Sequence, residues 1–300
     1  MRVVFMGTPD YATKILEGIE EWVVALFTQP DKPVGRKQIL TPPDTKRYVM
    51  ERKLDIPIYQ PDSLKNEKVI ETIRGLRPDF IVVAAYGKIL PKEILSIAPC
   101  INLHASLLPK YRGASPIQQA LLEGETQTGV TAMLMDERLD SGDILAYDVI
   151  GIEEDDTAVT LFKKLAARAR ELTLHVLKRY SLLAPIKQMD VDATYCKKIR
   201  KSDGLVDFDD AKLIYNKYRA FIHWPGIFLK SGLKLKKIAL EQKSGEHIPG
   251  KILKIDEDGI VVGCKRGSIK LLQVQPPSKK EMDALSYIRG KRLGVGDILV

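Results

Sequence analysis

Asp79-Phe80-Ile81-Val82-Val83-Ala84-Ala85 is the stretch on which the fold turns. It is nearly all apolar, as expected of a strand in a sheet covered on both faces. Working outward, Trp22–Thr28 and Arg2–Met6 precede it as strands, and Cys100–His104 and Thr128–Met135 follow it. Helical patterns lie between these runs, at Asp10–Ile19, Asp44–Lys53, Glu67–Leu76 and Ser115–Leu122. The longest, Thr157–Leu183, places Leu161, Leu165, Leu172 and Val176 near helical spacing. Strand and helix alternating in this way predict an α/β fold with a doubly wound, mostly parallel sheet.

From about Met189 the texture changes. Residues 189–203 are mixed and polar and are expected to link a first domain, 1–188, to a second, 204–300. Past a predicted helix at Asp210–Ala220 come short strand-like runs at Leu233–Leu240, Gly250–Ile255, Gly259–Gly263 and Ser268–Val274, broken by Gly, Pro and Asp. That pattern predicts a small, OB-like β-barrel, a shape much used for nucleic-acid binding.

Charge divides along the same line. Residues 1–189 carry 25 basic and 25 acidic side chains, whereas 190–300 carry 22 basic and 14 acidic, so the whole net charge of +8 lies in the last third. A basic segment attached to a neutral one suits a phosphate-rich partner, although a solubilising surface would carry the same excess. Arg2–Met6 runs straight into Gly7-Thr8-Pro9, which does not read as a secretory signal. No apolar run approaches the roughly 18–20 residues of a membrane span. Cys100, Cys196 and Cys264 are far apart, odd in number and without a C-x-x-C pair. They argue against a disulfide framework and a zinc site and for the reducing cytoplasm.

The chemistry concentrates in Asn102-Leu103-His104. At the end of a strand, residues i and i+2 point to one side, and carboxyl ends of strands are where open α/β sheets bind ligands. An amide that can donate to an oxyanion, beside an imidazole that can donate or move a proton, suits acyl transfer. The same pair could simply cap the sheet. Asp140, in Leu139-Asp140-Ser141-Gly142-Asp143, could reach that crevice and fix the imidazole tautomer, or it could close an Asx-type turn. Gly7-Thr8-Pro9 hints at an anion-binding turn at a helix start, but without G-x-G-x-x-G it argues against a nicotinamide cofactor. His175, His223 and His247 read as surface or packed histidines, Trp22 as core and Trp224 as packing. The 14-residue loop from Pro30 to Pro43 is long for a compact domain and is a second functional candidate.

Taken together, the blocks M-G-T-P-D-Y-A (6–12), Q-P-D-K-P-V-G-R (29–36), P-D-F-I-V-V-A-A-Y-G-K-I-L-P (78–91), I-N-L-H-A-S-L-L-P-K-Y-R-G-A-S-P-I-Q-Q-A-L-L-E-G (101–124) and G-V-T-A-M-L-M-D-E-R-L-D-S-G-D-I-L (129–145) resemble the folate-dependent formyltransferases. R-A-F-I-H-W-P-G (219–226) and the tail from Gln275 to Leu299 extend the likeness into the last third. The resemblance implies formyl transfer from 10-formyltetrahydrofolate, without a metal, to the α-amine of initiator methionyl-tRNA, by a monomer. It implies that Asn102 and His104 hold the carbonyl oxygen of the reacting group and that Asp140 orients His104. It assigns Ser106, Leu107, Leu108 and Pro109 to folate binding, with Tyr86 and Ile89 in the turn that walls the pteridine. It places Arg36 and Lys37 against the tRNA acceptor end. There the chain departs from the family, whose common Gly-Arg-Gly-Lys-Lys is Gly35-Arg36-Lys37-Gln38-Ile39 here. A small-amine formyltransferase would give no reason for the basic last third, and a non-catalytic RNA binder none for Asn102, His104 and Asp140.

Overall fold

Phe80–Ala84 is a strand, and Val3–Gly7 runs parallel beside it with Val3 opposite Phe80 and Gly7 opposite Ala84. This computed structural model describes residues 1–35 and 37–299; Arg36, expected to meet tRNA, lies outside the described residues. The sheet has seven strands, in the order Ile144–Gly151, Gln127–Leu134, Cys100–His104, Phe80–Ala84, Val3–Gly7, Val23–Phe27, Ile58–Tyr59. The strands from Cys100–His104 to Ile58–Tyr59 are parallel. Gln127–Leu134 and the edge strand Ile144–Gly151 are antiparallel. The edge strand alternates toward solvent, with Tyr147 and Val149 exposed, and Asp148 interrupts its apolar residues.

Every residue of Val3–Gly7 is buried, as a central strand covered on both faces requires. Each fully buried Val, Phe or Met contributes about 1.5–3 kcal/mol over leaving it in water. The chain then turns at Gly7 into the helix Asp10–Ile19. A Cβ on Gly7 would lie 2.5 Å from that of Ala12, so only glycine allows the helix to start this close to the strand. Tyr11, Ala12, Ile15, Leu16 and Ile19 are buried at helical spacing. Trp22, expected in the core, is instead only half-buried, with the Lys178 ammonium 5.8 Å from its ring centre.

The chain divides into two compact units. The first comprises 1–116, 127–151 and 162–196, the second 117–126, 152–161 and 197–300. Within the stretch expected to link the two, Tyr195–Cys196 pairs with Arg112–Gly113 as a short parallel ladder of the first unit.

In the second unit, Asp210 caps the helix Ala211–Phe221 by accepting the Leu213 N–H at 3.0 Å. Its sheet is antiparallel, in the order Ile227–Phe228, Lys234–Gln242, Ser268–Gln275, Ile260–Gly263, Ile252–Ile255, with Met282–Asp283 beside Ser268–Gln275. The helix Ala284–Lys291, which the sequence pattern does not reveal, follows. The acidic run Glu153-Glu154-Asp155-Asp156 belongs to this basic unit. Buried Arg219 donates to the carbonyls of Glu153 and Asp156, and Lys243 pairs with Glu154 at 2.8 Å. Trp224, read as packing, is 52% exposed. Among the described residues no helix is long and apolar enough to cross a membrane.

Candidate active site

Cys100–His104 is buried along its whole length, and Asn102 and His104 leave it on one side at its carboxyl end. The turn after Gln127–Leu134 brings Asp140 to them. Asn102 Nδ2 donates to Asp140 Oδ1 at 3.3 Å, and the Gly113 N–H donates to Asp140 Oδ2 at 2.9 Å. His104 Nδ1 lies 3.7 Å from the same Oδ2. Nε2 is 2.8 Å from the Tyr111 carbonyl oxygen. That oxygen can only accept, so Nε2 carries the hydrogen and Nδ1 faces the carboxylate. The tautomer is therefore set by the Tyr111 main chain, where the sequence suggested Asp140. Asp140 instead holds Asn102 and stands across a gap from the imidazole.

Around this cluster the backbone repeatedly enters the left-handed region. Asp140 has φ 49°, Tyr111 φ 61° and Ala85 φ 44°, beside Gly87 and Gly113 with φ 79° and 123°. Such conformations cost of order 1–3 kcal/mol for non-glycine residues, less for Asp, and persist where surrounding bonds over-determine them. Gly113 is also sterically required, since a Cβ there would sit 2.2 Å from the Cys196 carbonyl oxygen.

Asn102, His104 and Asp140 thus come together from positions 38 residues apart. Ser106 is wholly buried; its Oγ donates to the Lys110 carbonyl at 2.6 Å, and its carbonyl accepts from Thr131 Oγ1 at 2.7 Å. Leu107 leans over Gly129, where a Cβ would meet its side chain at 2.5 Å. Leu108 packs with Met133 and Ile144, and its N–H donates to Thr131 Oγ1 at 3.1 Å. The Pro109 carbonyl accepts from the Thr194 N–H. Tyr86 packs into the main core, its carbonyl accepting from Gln29 Nε2 at 2.9 Å, while burial pushes its hydroxyl up to about 12. Ile89, three residues on, is 82% exposed. Lys37 lies exposed in the turn of a hairpin, Lys32–Val34 with Ile39–Thr41, that occupies most of the 30–43 loop. Three contributors escape a reading by residue type. Tyr111 and Gly113 act through main-chain atoms, which leave no side-chain signature, and Gln188 is one polar residue in a polar stretch.

Residues 1–177 match the family described as formyl transferase, and residues 198–292 match its C-terminal domain. A methionyl-tRNA formyltransferase of a Nitratiruptor species is 67% identical over 99% of both chains. That of Wolinella succinogenes is 56% identical over 100% of this chain and 99% of its own. Among solved structures, a Helicobacter canadensis N-formyltransferase in complex with folinic acid and dTDP-3-aminofucose superposes with TM-score 0.67 at 19% identity, covering 91% of this chain and 99% of that one. HypX of Aquifex aeolicus in complex with tetrahydrofolic acid gives TM-score 0.64 at 17% identity; the match covers 100% of this chain but only 49% of HypX.

Proposed function

The chain belongs to the formyl transferase family, and from that premise we propose how its residues carry the reaction. It transfers a formyl group from 10-formyltetrahydrofolate to the α-amine of methionyl-tRNA, the activity for which its full-length relatives are named. The folate supplies the formyl carbon, the methionyl-tRNA amine receives it, and the chain's own groups orient the two and stabilise the charge that develops between them. A pteridine needs apolar walls with main-chain polar edges. Exposed Ile89 and Leu139, with half-buried Leu107, offer such walls in the segments that follow three strands of the sheet, so the residues present suit a reduced folate.

An aminoacyl amine titrates near 7.7–8.0, so about a tenth or more is already nucleophilic at neutral pH and the protein's task is to orient and to stabilise charge. Asn102 has two amide hydrogens. One is given to Asp140, which aims the other at the formyl oxygen as negative charge develops there, a contribution of about 2.7–4 kcal/mol. His104 Nδ1, in the gap facing Asp140, takes the proton released by the attacking amine and returns one to the departing folate nitrogen. Ser106 to Pro109 shape the folate subsite with Tyr86 and Ile89. In this reading the first unit, which runs on to residue 196 rather than ending at 188, carries the chemistry, and the second binds tRNA through exposed lysines such as Lys234, Lys237, Lys279 and Lys280. Arg36 and Lys37 meet the acceptor end. The protein acts as a monomer and in the cytoplasm, where its three buried cysteines would stay reduced.

The observation that carries this reading is the convergence of Asn102, His104 and Asp140 at the carboxyl end of the sheet. The test supplies purified protein with 10-formyltetrahydrofolate and charged initiator or elongator tRNA. Formylation of initiator methionyl-tRNA supports it. Turnover of a small amine in preference to tRNA, with no response to salt, would replace tRNA by a small-amine acceptor.

A further inference from the structure

Gln188 is buried and sits 48 residues from the active-site residue it touches. Its Nε2 donates to two main-chain carbonyls, Asp140 at 3.0 Å and Gly142 at 2.7 Å, so both amide hydrogens are used. Its Oε1 accepts twice from Arg112, from Nε at 3.0 Å and from Nη2 at 2.9 Å. Arg112 is itself 1% exposed, and it directs Nη1 to Asp190 Oδ1 at 3.0 Å. Neither the carbonyls nor the guanidinium can change roles, so Gln188 has one possible orientation.

These bonds fall on the backbone that most needs them. Asp140 is left-handed, and its carboxylate must reach Asn102, Gly113 and the face of His104 at once. The turn has no slack beyond it, because a Cβ on Gly142 would lie 1.8 Å from the Leu134 carbonyl oxygen. Arg112 immediately precedes the Gly113 N–H that holds the same carboxylate. The Gln188–Arg112 pair therefore grips both segments that converge on Asp140.

We propose that Gln188 is a positioning residue for formyl transfer, clamping the Asp140–Gly142 turn so that the Asp140 carboxylate meets Asn102 and His104, with Arg112 locking the clamp. The inference rests on the reading of Asp140 given above and extends it to a residue that touches no substrate. Small displacements at a reacting centre are costly: about 1 Å can remove 10²-fold in rate.

Gln188→Glu separates the two halves of the clamp. It keeps an acceptor for Arg112 and sets a carboxylate oxygen, in place of the donor, against the two carbonyls. The expected result is a fall in kcat of about 10²-fold, with KM for both substrates within about twofold of wild type. Gln188→Met, which removes donor and acceptor at similar length, is the second variant should the glutamate variant fail to fold. The deciding measurement is a cycle with Asp140→Asn, by single-turnover formylation. A residue acting through the Asp140 carboxylate costs less than about twofold once that carboxylate is gone. If either Gln188 variant loses the same factor in both backgrounds, Gln188 is merely structural and the proposal is overturned, as it is if folded Gln188→Glu turns over like wild type. Near-wild-type turnover of Asp140→Asn alone would instead sink the reading of Asp140.

Discussion

The turn at Asp140 and the hairpin at 32–41 belong to the same unit, and they are held in opposite ways. The turn is fixed by bonds from far along the chain: Asn102 and Gly113 on its carboxylate, Gln188 on its carbonyls. The hairpin has a ladder of three residue pairs, and Val34, Ile39 and Leu40 are each more than half exposed. The difference teaches where each segment obtains its shape. On the function proposed above, a group that must meet a reacting atom is set in advance by the interior, whereas a segment that must meet a large partner is free to take final form against it.

The largest test of that contrast is at the fixed end. Asn102→Ala should lower kcat by about 10²–10³-fold through loss of one oxyanion donor. His104→Ala should be at least as severe, and Asp140→Asn should impair turnover while folate binding by equilibrium titration stays close to wild type. Wild-type rates in any of the three would dissolve the proposed site. In the 30–43 stretch of sequence, Arg36→Ala and Lys37→Ala should cut kcat/KM for initiator tRNA several-fold and leave folate binding alone. Lys37→Ala should also flatten the salt dependence by a slope of about one, as expected for a lost phosphate contact. If both stay within about twofold, tRNA recognition belongs to the basic second unit alone.

A smaller effect concerns Asp190, whose carboxyl is held below the ordinary range by its hydrogen bond to Arg112, with a further one to Arg138. Its folded value lies below the unfolded value of about 3.9. The contact therefore contributes in full above about pH 4 and fades as pH falls through the folded value. Asp190→Asn should remove that acid-side loss from a plot of Tm against pH. An unchanged acid limb would mean the bond carries no linkage. Smallest of all, Ile39→Ser should shift stability by less than about 0.5 kcal/mol in urea unfolding, because the side chain is already 62% exposed. A larger loss would show that the hairpin is packed after all.

What the sequence reveals follows the same division. Val3–Gly7 and Phe80–Ala84 are legible because a strand buried on both faces must be apolar throughout, and Cys100–His104 because its apolar residues alternate with Asn102 and His104 at the strand period. Asp10–Ile19 is legible because one face alternates at helical spacing. Ile144–Gly151 is not, since Asp148 divides its apolar residues and its outward positions, Tyr147 and Val149, are apolar too, so no polar–apolar alternation marks it. The hairpin hides for a similar reason, its apolar residues serving no core. Within the site, Asn102, His104 and Asp140 are visible by their functional groups. The Tyr111 carbonyl and the Gly113 N–H belong to every residue alike and show themselves only through distance.

The ladder of Tyr195–Cys196 on Arg112–Gly113 also sets a clock on synthesis. A ribosome delivers Asn102, His104 and Asp140 well before it delivers Gln188, Thr194 and Cys196. Yet Thr194 Oγ1 accepts the Tyr111 N–H across 83 residues, and the Cys196 carbonyl accepts from Ala114. A nascent chain that has released the motif but not these later residues has the proposed reacting groups without their supports. Domains form in the order in which they emerge, so this site is completed only as the last strand of the first unit clears the exit tunnel.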